Sequence, residues 1–112
     1  MKKSILDTFE KLGADYSLSG YKYICEAVDM LCETSQPFPI CQLYALVGVK
    51  FNTTGSRVER AIRHFIDRAI SYGNVEFIHS IINFPGHKYK PTNSQFICGI
   101  VEYIRRQQLW KL

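Results

Sequence analysis

The chain has 112 residues, 46% of them hydrophobic and 21% charged, and a formal net charge of +4. These are the proportions of a soluble protein with one core, and they exclude disorder as a global state. No apolar run approaches the roughly 18 residues of a spanning helix, and the charged start Met1-Lys2-Lys3 lacks the apolar stretch of a signal peptide, so a cytoplasmic protein without a membrane segment is expected.

The punctuation is helical throughout. A first amphipathic segment opens at Ser4, carries Ile5, Leu6, Phe9 and Leu12 on one side, and stops at Gly13. A second begins near Gly20, lines up Tyr23, Ile24, Ala27, Val28 and Leu31, and ends before Thr34-Ser35-Gln36-Pro37. A third follows Pro39 with Ile40, Leu43, Tyr44 and Val47, and Gly48 reads as its stop. A fourth begins between Thr53 and Ser56 and runs to Tyr72, with Gly73 after it. A fifth takes Asn74 as N-cap and continues Val75, Phe77, Ile78, Ile81, Ile82.

The segment 83–91 holds Pro85, Gly86 and Pro91 and reads as one exposed loop. A sixth helix starts with Thr92 and Gln95 at capping-box spacing, and its apolar side is Phe96, Ile97, Ile100, Val101 and Ile104. No stretch alternates strictly between polar and apolar residues, so no strand is expected. The predicted fold is all-α: one domain over residues 1–112, made of six short helices that include a helix-turn-helix.

The fourth segment carries the chemistry. At about 100° per residue, Val58, Ala61, Ile62, Phe65 and Ala69 form an apolar arc, with Arg57, Arg60, Arg63, His64, Asp67 and Arg68 opposite. Ser56 and Glu59 have capping-box spacing, which opens the helix at that point. A helix N-terminus fits the major groove, where Arg grips guanine O6 and N7 and Glu accepts from a cytosine amino group. Hydroxyls at the same end, those of Thr53, Thr54 and Ser56, suit phosphates. The charge distribution agrees. Residues 1–33 hold six acids and four bases, whereas residues 34–112 hold ten bases and four acids, a positive field suited to a polyanion. This pattern predicts a recognition helix over about 54–72, braced by the helix at about 39–47.

The run Phe51-Asn52-Thr53-Thr54-Gly55-Ser56-Arg57-Val58-Glu59-Arg60-Ala61-Ile62-Arg63-His64 resembles the recognition-helix signature of the stage zero sporulation protein A family of response regulators. Lys90-Pro91-Thr92-Asn93-Ser94-Gln95-Phe96-Ile97 resembles the start of that family's last effector helix, and Gly20-Tyr21-x-Tyr23 with Glu26-Ala27 resembles its second. The resemblance spans about residues 5–106 and fades over 78–89. It implies a six-helix effector domain that binds double-stranded DNA at a box with a TGTCGAA-like core and regulates transcription. Carried over by position, Arg57, Glu59 and Arg60 read bases, and Thr54, Ser56, Arg63, His64 and Lys90 lie on or near phosphates. The resemblance further implies tandem self-association on adjacent boxes and contact with an RNA polymerase sigma factor. Regulators of this family carry a receiver domain, which residues 1–19 are too short to hold, so an effector domain without its own phosphorylation switch is expected.

The competing reading is a protein-interaction module of the same fold that pairs with or antagonises a full-length regulator without productive DNA binding. Retention of Arg57, Glu59 and Arg60 argues against it. An enzyme is disfavoured, since His64 sits on the arginine face and His79 and His87 have no cysteine or carboxylate at a suggestive spacing. Cys25, Cys32, Cys41 and Cys98 form no C-x-x-C pair, so neither a metal nor another cofactor is expected. The seven-residue spacing of Cys25 and Cys32 is that of core thiols. The seven tyrosines fall mostly on apolar helix faces and read as core.

Overall fold

The structure is a computed structural model that describes residues 3–34, 38–82 and 90–110. It contains α1 (Lys3–Leu12), α2 (Ser19–Glu33), α3 (Ile40–Lys50), α4 (Gly55–Tyr72), α5 (Val75–Ile81) and α6 (Asn93–Trp110), and no strand among the described residues. The all-α, six-helix expectation is met. Residues 83–89, most of the segment read as an exposed loop, lie outside the described residues.

The helices share a core whose largest buried members include Phe9, Ile24, Leu43, Ile62, Phe65 and Phe96. α4 lies at its centre, packed against α3 and α2 and also touching α5 and α6. Its apolar arc is broader than periodicity indicated, since Ile66 is fully buried beside Val58, Ile62, Phe65 and Ala69. Ala61, placed on that arc, is only half-buried, and its backbone lies under Gly20 of α2. A Cβ at Gly20 would collide with Ala61 O and stand 2.8 Å from Ala61 C and 2.9 Å from Phe65 Cβ. The two helices therefore cross at backbone contact, and only glycine fits. Leu6, counted on the apolar side of α1, is exposed, as are Tyr16 and Tyr72.

Gly48 does not stop α3, which runs on to Lys50. The residue serves a close approach instead. The chain folds back over it so tightly that a Cβ would lie 2.7 Å from Thr53 O, and the Thr53 N–H donates to Gly48 O at 2.8 Å. The left-handed step of the turn falls on Asn52 (φ 57°), a residue type that tolerates it. Phe51 anchors the turn to α2 by an edge contact with Tyr23, with ring centroids 5.4 Å apart. Lys50 adds a 2.8 Å ion pair to Glu26, which is almost wholly buried.

The far ends are tied as well. The Asn74 N–H donates to Leu12 O at 2.8 Å, joining the start of α5 to the end of α1. Asn74 caps α5 through the Phe77 N–H at 3.2 Å. Thr92 and Gln95 form the reciprocal capping box expected of α6, at 2.9 and 3.1 Å. The Arg105 guanidinium donates to Leu31 O and Thr34 O, each at 2.7 Å, and so completes the C-terminal end of α2.

Cys25 is a core thiol, and burial pushes it up to about 12; Cys32 is half-buried, and Cys41 and Cys98 are exposed. Alkylation of the native protein at pH 8 should label Cys41 and Cys98 and spare Cys25 until denaturant is added, as read by peptide mass spectrometry. Gly20→Ala should lower unfolding free energy by about 1–3 kcal/mol in urea titration. The overlap with Ala61 outweighs the roughly 1 kcal/mol that alanine normally gains over glycine inside a helix.

Candidate nucleic-acid interface

Helices α3 and α4, joined by residues 51–54, form the helix-turn-helix, and the exposed end of α4 is built by its cap. Thr54, extended at φ −97° and ψ 156°, accepts the Arg57 N–H on its side-chain oxygen at 3.2 Å. The cap is therefore Thr54, and the helix opens at Gly55 rather than at the Ser56–Glu59 pair. The difference is physical: the turn folded over Gly48 leaves Thr54 in the extended conformation a cap requires, while Ser56 is already helical. Uncapped N–H groups and the helix dipole give this end positive potential.

The first turns of α4 display Ser56, Arg57, Glu59 and Arg60, all exposed, followed by exposed His64 one turn on. Arg57 and Arg60 make no side-chain hydrogen bond or ion pair among the described residues. The other two arginines of α4 are engaged. Arg63 donates from Nε and Nη2 to Asp67 Oδ1 at 3.2 and 2.9 Å, and from Nη1 to Pro91 O at 2.9 Å. Arg68 lies 3.9 Å from Asp15 Oδ2 and 4.4 Å from the centre of the Tyr72 ring. The Asp15 carboxyl is held below its ordinary range, chiefly by hydrogen bonds from the Ser17 hydroxyl and N–H and also by the charges of Arg68 and His64.

The predicted phosphate-side residues thus divide. Thr54, Ser56 and His64 stand exposed along α4, whereas Arg63 and Lys90 converge on one carboxylate, Lys90 Nζ being 3.6 Å from Asp67 Oδ1. Asp67 was legible only as one more charge on the polar arc. Its i,i+4 spacing from Arg63 was the available signal, but the approach of Lys90 depends on how α6 is entered.

Sequence reasoning missed Asn93 and Tyr44. The Asn93 side-chain amide donates to Glu59 O at 3.2 Å, fixing the start of α6 beside the first turns of α4. Tyr44 of α3 lines the cleft between these elements with Ser56, Arg60 and Asn93, and burial raises its phenol above the ordinary value. Nothing in the periodicity of either segment marks these cross-helix contacts.

The sequence matches, over residues 5–104, the family model described as Sporulation initiation factor Spo0A C terminal. The chain belongs to this family. As a member of the Spo0A C-terminal family it is a DNA-binding domain of the sporulation-regulator kind, and the match covers α2 to α5 entirely and most of α1 and α6. No helix among the described residues is long and apolar enough to cross a membrane. Thr54→Ala should cost about 1 kcal/mol of stability by removing the cap. The fraying should fall on the turn that bears Arg57, so hydrogen exchange should quicken in the first turn of α4 more than in its centre.

Proposed function

We propose that this domain is a sequence-specific regulator of transcription that lays the N-terminal end of α4 in the major groove of double-stranded DNA. Arg57, Glu59 and Arg60 read base edges, and Thr54, Ser56, Arg63, His64 and Lys90 meet phosphates. The observation that carries this reading is the allocation of charge along α4. Acidic partners hold Arg63 and Arg68, while Arg57 and Arg60 stand exposed, with no partner among the described residues, at the positive end of the helix. A solvated structural helix has no need of that arrangement, and base readout by arginine requires it. Arg63 still has two of the five N–H donors of a guanidinium without a partner among the described residues, enough for a phosphate oxygen.

The resemblance supports a TGTCGAA-like box as the target, tandem self-association of this domain on adjacent boxes, and contact with an RNA polymerase sigma factor in the cytoplasm. It also supports reading residues 1–112 as one effector domain. No cofactor or catalytic step enters this mechanism, which is binding alone.

Gel-shift titration with a box duplex and a scrambled duplex tests the reading. The box should bind more tightly, and log K should fall with log salt by about 0.9 per phosphate engaged. Arg57→Ala or Arg60→Ala should cost about 1–3 kcal/mol on the box and flatten discrimination. Lys90→Ala should weaken both duplexes alike. Equal, feeble binding of both duplexes by the unmodified domain would favour a protein-interaction module that pairs with or antagonises a full-length regulator.

A further inference from the structure

Asp67 places a negative charge on the polar arc of the helix that is to lie against a polyanion. Its carboxylate is 38% exposed, and one oxygen, Oδ1, takes all three contacts: two from Arg63 and one from Lys90. Arg63 is held on its other side by Pro91 O, so its guanidinium bridges α4 and the entry to α6 in one orientation. The cluster joins two cations to one anion: Arg63 is confined from both sides, whereas Lys90, 56% exposed, approaches through one 3.6 Å ion pair.

Confinement matters because phosphates are the same at every register. A free lysine or arginine follows the backbone wherever the protein sits, and it strengthens binding to any sequence. A cation fixed by an internal carboxylate meets a phosphate only where the domain is docked in one pose. We infer that Asp67 is a specificity-determining residue for the DNA binding proposed above, on which this inference rests: it restrains Arg63 so that it rewards the base-read register and contributes little elsewhere.

The test is Asp67→Asn, which keeps the shape and removes the charge, titrated against box and scrambled duplexes across a salt series. Thermal unfolding of each variant is followed in parallel. Scrambled-duplex binding should tighten roughly three- to tenfold, with a salt slope steeper by about one phosphate. Box binding should change less, so the ratio of the two affinities falls. Asp67→Glu, which keeps the charge, should retain more of the ratio. In an Arg63→Ala background, Asp67→Asn should leave the ratio unaltered. The inference is overturned if Asp67→Asn shifts both duplexes by the same factor, if it changes neither, or if the ratio falls equally without Arg63. Should the unmodified domain bind the box and the variant behave in one of those ways, the inference fails while the DNA-binding reading stands. An unmodified domain that binds neither duplex overturns both.

Discussion

The backbone contact between α2 and α4 at Gly20 and Ala61 is the constraint on which the rest of the domain depends. Packing at that distance lets α4 sink into the core along Val58, Ile62, Phe65, Ile66 and Ala69 while its opposite arc stays in solvent. A side chain at position 20 would lift α4 away from α2 and, with it, the turn and α3. Phe51 and Lys50 both reach from that turn region to α2, at Tyr23 and Glu26. The exposed end of α4 is therefore positioned from behind, by contacts none of its displayed side chains has to make. Burying a Leu or Phe face contributes on the order of 1.5–3 kcal/mol per side chain, far more than any surface pairing on the opposite arc.

Much of this was legible in the residues, and the failures share a cause. The six helices were readable because each carries a 3.6-residue apolar period bounded by Gly, Asn, Pro or Thr. Gly48 misled because glycine has two uses: it ends helices, and it admits a second backbone. Only the path of Thr53 over α3 separates the two. Ser56 and Glu59 misled because capping-box spacing recurs by chance, and the extended conformation of Thr54 decides which residue caps. Of the candidate interface, Arg57, Glu59 and Arg60 were visible as a linear motif. The bond from Arg63 to Pro91 O and the approach of Lys90 to Asp67 were not, because the first joins residues 28 positions apart and no local pattern encodes either meeting.

The same division separates two kinds of surface charge on α4. Exposed ion pairs contribute little to stability, typically below about 1 kcal/mol, so Arg63–Asp67 and Arg68–Asp15 are poorly explained as props for the fold. Their larger effect is on the field: Asp67 and Asp15 offset the charges of Arg63 and Arg68. A uniformly basic helix would attract nucleic acid along its whole length. Here the helix dipole adds positive potential at the end that carries Arg57 and Arg60, which under the proposed reading would sharpen orientation on approach.

The Arg105 guanidinium closes the end of α2 on Leu31 O and Thr34 O across 74 and 71 residues of chain. Those carbonyls gain these two bonds only when α6 is docked against α2. Contacts of that sequence separation are slow to form because the loop entropy is lost before the contact is gained. Neighbours in sequence such as α3 and α4 close little chain when they pack, whereas the link from α6 to Thr34 closes 71 residues. One exposed arginine of α6 thereby ties the fraying of the last turn of α2 to the docking of α6.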